Sequence, residues 1–405
     1  MTSTEKPRSV DEHALVVAAL LATTPVVRLP LVECAGLALA EPVVAPLPLP
    51  PFDNSGMDGY AVRSADVAGA GADAPVLLPV TEDIPAGRTD SPPLQPGTAH
   101  RIMTGAPMPP GADAVVPVEL TDAGRHRVRI FAPRAAGDSV RQAGGDVAAG
   151  DEVLAAGTVL GAAQLGVAAA VGHPALPVHR RARVLVLATG SELVMPGEPL
   201  QHGQIYESNS TMLAAAVREA GGEAEVMHFV PDDVAQLEAA LAARLEGIDL
   251  LVTSGGVSAG AYEVVKSAMT GQGVEFGKVG MQPGGPQGAG FYRGVPVTAL
   301  PGNPVSSSVS FEVFVRPALR AAMGLPAQRA RVTARLTEPL ASPEGKRQFR
   351  RGALDAASGT VSLVGGPASH LLGALAKSDC LIDVPERATH LEAGDEVVVL
   401  RTNGN

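Results

Sequence analysis

The sequence predicts a multidomain α/β protein, with β-rich segments on either side of one sheet-and-helix domain. Three observations predict it. Between Arg183 and Ser310, apolar runs such as Leu250–Val252 and Val295–Leu300 lack alternation, as buried parallel strands do. Helical periods separate these runs, which is the pattern of right-handed βαβ units. On both sides of this stretch the chain shows short β-type runs punctuated by Gly and Pro. At 405 residues the chain exceeds one ordinary core, so roughly two to four domains are expected.

In chain order, Ser9-Val10-Asp11-Glu12 fits a capping box, with Leu15, Ala18 and Leu21 following at helical spacing. That helix should stop near Thr23-Thr24-Pro25, and a small-residue helix should run through Leu37 and Ala40. Pro46 to Pro51 reads P-L-P-L-P-P, an extended connector and a domain boundary. Residues 52 to about 136 hold the runs Val76–Val80, Ala114–Val118 and Arg127–Phe131, with turns at Pro85-Ala86-Gly87 and Pro96-Gly97. A glycine-punctuated stretch and an Ala-rich helix near Gln164–Val171 follow. From Arg183, R-V-L-V-L-A-T-G-S-E-L is a buried strand running into a Gly loop. Asn209-Ser210 should cap a helix ending at Gly221-Gly222, and Asp232-Asp233 one that carries Val234, Leu237, Leu241 and Leu245 on one face. After about Pro326, the runs Arg331–Leu336, Thr360–Val364, Cys380–Val384 and Glu396–Leu400 read as a small all-β barrel or sandwich.

Composition narrows the function. Hydrophobic residues are 46% and charged ones 18%, a globular balance. The net charge of −11 argues against nucleic acid and anionic membranes as partners. Aromatics are 3% with no Trp, which argues against stacking single-stranded bases. Cys34 and Cys380 are too few for a disulfide framework or a cysteine zinc site. No apolar core precedes Asp11 and no uninterrupted apolar run reaches roughly 18 residues. A reduced, cytoplasmic protein is expected.

Loops then carry the chemistry. Asp53-Asn54-Ser55-Gly56-Met57-Asp58-Gly59-Tyr60 gathers two carboxylates, an amide and a hydroxyl beside two glycines. Such groups can converge on a ligand or metal; the string equally fits an Asx turn leaving the proline connector. Thr104-Gly105-Ala106-Pro107 taken alone is a turn. Thr189-Gly190-Ser191-Glu192 ends a buried strand, where Glu192 can meet a ligand or Mg2+, or simply cap a helix. Ser254-Gly255-Gly256-Val257-Ser258 and Pro301-Gly302-Asn303-Pro304 end two further strands, and Ser306 to Ser308 open a helix whose N-terminus attracts anions. These loops suit a phosphate-bearing or oxyanion ligand. P-loop and nucleophile-elbow strings are absent, the histidines have no metal spacing, and His228 and His370 read as structural or surface residues.

Taken in order, the strings at Asp53-Asn54-Ser55, Thr104-Gly105-Ala106-Pro107, Thr189-Gly190-Ser191-Glu192-Leu193, Ser254 to Ser258 and Leu300 to Ser306 resemble the molybdopterin molybdenumtransferases, the MoeA and gephyrin E-domain family. The resemblance spans about residues 10 to 400. It implies an elongated N-terminal domain from residues 1–47 and 137–177, and a β-rich domain inserted at 48–136. A three-layer α/β molybdopterin-binding domain at 178–327 and a C-terminal β-barrel at 328–405 would follow. It further implies a homodimer, contact with the molybdopterin adenylyltransferase, and insertion of molybdate into adenylated molybdopterin with Mg2+-assisted release of AMP.

By the same resemblance Asp53, Thr104, Glu192 and Glu263 are catalytic, and Glu192, Asp232 and Glu263 hold Mg2+. The expected substrate-binding set is Asn54, Ser55, Asp58, Ser254, Gly255, Gly256, Ser258, Gln282, Gly285, Pro286, Pro301, Asn303, Pro304, Ser306, Arg350 and Ser369. One departure stands out. The family's K-P-G-K-P is Gln282-Pro283-Gly284-Gly285-Pro286 here, so two ammonium groups suited to an oxyanion are absent. Arg347, Arg350, Arg351 or Lys278 are the candidates to replace them. Two alternatives remain open: a non-catalytic pterin-binding paralogue, favoured by that loss, and the adenylyltransferase, which shares two loops but predicts a single compact domain.

Overall fold

The computed structural model describes residues 6–229, 233–256 and 264–402. The chain divides into two compact units, one of residues 1–27, 36–40 and 177–405, the other of 28–35 and 41–176. In the first, the helix Val10–Leu20 starts with the expected capping box: the Ser9 hydroxyl accepts from Glu12 N at 3.2 Å, and the Glu12 carboxylate from Ser9 N at 2.7 Å. Its buried face differs from the expected one. Val10, His13 and Val17 point inward, while Leu15 is 72% exposed. The helix is apolar almost all round, so periodicity does not select a face; the His13 ring settles it, standing edge-on to Phe314 at 4.7 Å. No helix forms at Leu37–Ala40. Gly36 takes φ 76°, and Leu39 pairs instead with Val178.

The six-stranded sheet of this unit runs 223–229, 183–189, 250–254, 295–300, 286–292, 274–278. The first four strands are parallel, as expected for Leu250–Ser254 and Val295–Leu300. The last two form an antiparallel extension that the sequence reading did not anticipate. Helix Asn209–Glu219 and the helical run from Pro304 to Ala322 cover one face, where Leu213, Val217, Phe311 and Leu319 pack on Val184, Val186 and Val252. Helices Val234–Ala242 and Val264–Met269 cover the other, with Leu237 and Leu241 buried and Asp233 accepting from Gln236 N at 2.9 Å as a cap. Three layers result.

After residue 330, strands 347–355, 360–363, 331–336, 396–401 and 380–384 close into a barrel, the last returning to the first. A short strand, Met281–Gln282, adds in parallel to the barrel strand at Arg347–Gln348.

In the second unit, five strands run in the order 114–117, 59–62, 99–102, 76–84, 127–130. Gly59 is required there, because a Cβ would lie 2.0 Å from the Val116 carbonyl oxygen. Both cysteines are buried free thiols, and burial pushes the Cys380 thiol up to about 12. Among the described residues no helix is long and apolar enough to cross a membrane.

Candidate active site

A cavity of about 980 Å³ opens where strands 183–189, 250–254 and 295–300 end together. Parallel strands in register must release their loops at one edge, so Thr189–Glu192, Ser254–Gly256 and Pro301–Pro304 meet there. Asn209 binds two of these loops to each other. Its amide donates to Ser254 Oγ at 2.9 Å and to the Gly302 carbonyl at 2.6 Å, and its Oδ1 is buried with no protein partner. Ser254 Oγ lies 3.0 Å from Ser307 Oγ, which donates to the Pro301 carbonyl at 2.6 Å. Gly255 and Gly256 have φ of 91° and 70°. A Cβ on Gly255 would approach the Thr189 carbonyl oxygen to 3.1 Å, so glycine lets the loops close on one another. Two helix N-termini, at Asn209 and Pro304, line the cavity, and their positive dipole ends favour a negative ligand.

The barrel supplies the remaining wall, Pro367 to His370. Val305 N donates to the Ser369 carbonyl at 3.1 Å, and Arg351 holds the segment from behind through the carbonyls of Val364, Gly366 and Ala368. Gln282 reaches the cavity because its short strand is paired to the barrel, and Gln348 donates to its side-chain carbonyl at 2.6 Å. Gln287 ties the next turn, donating to the Gly284 carbonyl and to Ser310 Oγ, each at 2.7 Å.

Of the residues expected to act, Glu192, Ser254, Gly255, Gly256, Gln282, Pro286, Pro301, Asn303, Pro304, Ser306 and Ser369 line this cavity. Gly285 sits beside it, its carbonyl accepting from Val279 N at 2.7 Å. Arg350 is not in the lining; it is buried in the barrel and donates to the Gly365 carbonyl. Asp232, Ser258 and Glu263 lie outside the described residues. Sequence reading missed or misassigned several contributors. Asn209 was expected to be a helix cap, yet its amide crosses to other loops, and Glu207 takes the Ser210 N–H at 2.8 Å. His370 lines the cavity rather than serving as an unrelated surface residue. Gln348 lies on a strand that no apolar pattern announces, and Arg351 on the same strand, expected as an oxyanion holder, supports the cavity wall instead.

The charge balance is unusual for an oxyanion site. Among the described lining residues there is no Lys or Arg, and the acids are Glu192 and Glu207. None of the four proposed replacements lines the cavity. Arg347 is bound to Asp383 and Asp11, Arg350 and Arg351 to backbone carbonyls, and Lys278 faces a different cavity. Neutral backbone and amide donors are what remain to hold negative charge here.

The second unit brings its two strings together although about fifty residues separate them. Ser55 N donates to the Ala106 carbonyl at 3.0 Å and Gly105 N to the Ser55 carbonyl at 2.8 Å. Asp58 accepts from both the N–H and the hydroxyl of Thr104 at 2.7 Å, and these bonds hold its carboxyl below the usual range. Asp53 accepts from Ala143 N at 2.7 Å while its side chain stays exposed; Asn54 and Ser55 are buried and bond to the backbone of Phe52 and Met57.

Comparison with known proteins agrees with this architecture throughout. Family models match residues 8–172 (MoeA N-terminal region, domains I and II), 185–321 (a molybdopterin-binding domain) and 333–401 (MoeA C-terminal region, domain IV). The chain belongs to the MoeA family of molybdopterin molybdenumtransferases. Among MoeA relatives, molybdopterin molybdenumtransferase 2 of Mycobacterium tuberculosis is 56% identical over 400 residues, covering 97% of this chain and 99% of its own. Molybdopterin molybdenumtransferase 1 of the same organism is 41% identical over 420 residues, covering 97% and 98%. A crystal structure of a Pyrococcus MoeA protein superposes with a TM-score of 0.84 at 31% identity, covering 98% of this chain and all of that one.

Proposed function

We propose that this protein is a molybdopterin molybdenumtransferase acting in molybdenum cofactor biosynthesis: it takes adenylated molybdopterin and molybdate, hydrolyses the adenylate, releases AMP and leaves molybdenum on the pterin dithiolene. The observation that carries this reading is the cavity in which three strand-end loops and two helix N-termini converge around Asn209. The full-length likeness to relatives of that name supports it, and weighs against the non-catalytic and adenylyltransferase alternatives.

In this mechanism the backbone N–H groups of Gly256, Asn209 and Ser306 receive the adenylate phosphate, since those of Gly255, Ser210 and Val305 are donated within the protein. Asn209 keeps their loops at a fixed separation, so little reorganisation is needed as charge develops. The Ser306 and Ser369 hydroxyls and the Gln282 amide are the neutral donors left for molybdate. For Mg2+ the fit is limited but chemically sound. Mg2+ commonly takes one or two carboxylates, the rest of its shell being water and substrate phosphate, and the exposed Glu192 carboxylate at the cavity meets that need. When bound it would neutralise charge on the phosphate. Asp53 and Thr104 are the further residues assigned to catalysis in this reading. We further read the protein as a cytoplasmic homodimer that receives its substrate from the adenylyltransferase; the two free cysteines suit a reducing compartment.

The test is AMP release by the purified full chain from adenylated molybdopterin, with Mg2+ and with molybdate titrated. Turnover is expected, with a high molybdate requirement. Gln282→Lys with Gly285→Lys should lower that requirement about tenfold or more, since each charge-assisted bond contributes about 1.5–3 kcal/mol. Gly285 tolerates the change: a Cβ there would meet nothing closer than 3.5 Å. No AMP release under any molybdate concentration would refute the assignment. An unchanged requirement in the double variant would instead refute this account of the loop.

A further inference from the structure

A second cavity, of about 560 Å³, lies against the free edge strand Val274–Lys278 and shares no lining residue with the first. Lys6, Arg8, Lys266 and Lys278 line it, with Glu275 as the one acid among the described residues. The chain has five lysines in 405 residues and a net charge of −11, so three of the five around one cavity reverse the sign of the molecule locally. The fold enforces this gathering. Arg8 is stitched to the end of the edge strand, its N–H donating to the Lys278 carbonyl at 3.0 Å and its carbonyl accepting from Gly280 N at 2.8 Å. Lys266 comes from the helix packed beside that strand, and its carbonyl receives the Thr270 N–H and hydroxyl.

Only one of these cations is neutralised. Arg8 pairs with Glu275 at 2.5 Å, whereas Lys6, Lys266 and Lys278 have no acidic partner among the described residues. Like charges held around a cavity repel, and a bound anion converts that repulsion into charge-assisted contacts. Lysine is a compact point charge suited to phosphate. Phe276, half-buried, and Pro7 add an apolar wall for whatever the phosphate is attached to.

We infer that this cavity is a second anion site, distinct from the molybdate and adenylate cavity, which binds a phosphate-bearing ligand with at least two negative charges. The experiment is calorimetric titration of the full chain with inorganic pyrophosphate in low-salt Hepes buffer, repeated with ADP. The double variant Lys266→Gln, Lys278→Gln should lose at least tenfold in affinity at one site, and the Lys266→Arg, Lys278→Arg pair should retain it. Asn209→Ala, which alters the first cavity, should leave this site intact. If ADP binds more tightly than pyrophosphate, the ligand is a nucleotide seated on the apolar wall; equal affinity identifies the bare diphosphate, and either result sustains the site. The inference is overturned if pyrophosphate does not bind, if the glutamine pair titrates like the parent, or if Asn209→Ala alone removes binding. Turnover of adenylated molybdopterin reads the first cavity separately, so failure of one assignment does not carry over to the other.

Discussion

At the scale of single residues, Asn209 and His13 make opposite uses of a buried polar atom. Asn209 donates twice across the loop ends, so Asn209→Asp keeps the shape but sets a carboxylate against the Gly302 carbonyl and an incoming phosphate. AMP release should fall at least tenfold, and further than in Asn209→Ala; turnover of Asn209→Asp at the parental rate would show that the loops need no such tie. His13 is 3% exposed, and burial, with the charge of Arg8 adding to it, pushes its imidazole down to about 4 from 6.5. The unfolded chain therefore takes up a proton below pH 6.5 that the folded chain refuses until about pH 4. Stability present above that window is lost as pH falls through it, by on the order of 3 kcal/mol in all. Urea unfolding from pH 7 to 4 in phosphate-free buffers should show this slope, flattened in His13→Leu. A variant with the parental slope would move the titration to another group.

At the scale of elements, the strand Arg347–Asp355 shows why part of the site could not be read from sequence. It begins R-Q-F-R-R-G, with one apolar side chain in six, and so lacks any strand-like alternation. Yet Gln348, Arg350 and Arg351 are all buried, because their polar heads meet a neighbouring amide or the carbonyls of the 364–368 segment. A sequence records the polarity of a side chain, not the partner that satisfies it. The helix Val10–Leu20 fails in the converse way, since too many apolar residues leave its face undecided until His13 meets Phe314. Arg351→Met should cost about 2–3 kcal/mol and loosen the Pro367–His370 wall, because three carbonyls lose a charged donor. Denaturation and limited proteolysis at 364–370 measure both effects; parental stability with parental protection would assign the loop's order to Val305 and its neighbours instead.

At the scale of the whole molecule, the readable part was the part that repeats. Apolar strands ending in glycine loops announce a parallel sheet and its open edge, so Ser254–Gly256 and Pro301–Pro304 were placed at the edge where the cavity opens. The antiparallel extension 274–278 and 286–292 was hidden, because Gly277, Gly288 and Gly290 dilute its β pattern. The two strings of the other unit, Asp53–Asp58 and Thr104–Pro107, were visible separately, and only the strand pairing that joins them was not. That unit offers the exposed acids Asp53 and Asp58, separated from the strand-end loops in sequence by a rigid proline connector, and two-fold dimers are the commonest assembly. We therefore expect the protein to form a homodimer in which each site is completed by Asp53 from the partner subunit. Asp53→Asn and Asn209→Asp should each retain a tenth or less of parental AMP release alone. If subunits exchange freely, an equal mixture gives about half mixed dimers, each with one intact site, and so recovers roughly a quarter of parental AMP release. A mixture as inactive as its components, with exchange verified by sedimentation of differently labelled subunits, would place Asp53 and Asn209 in the same subunit's site.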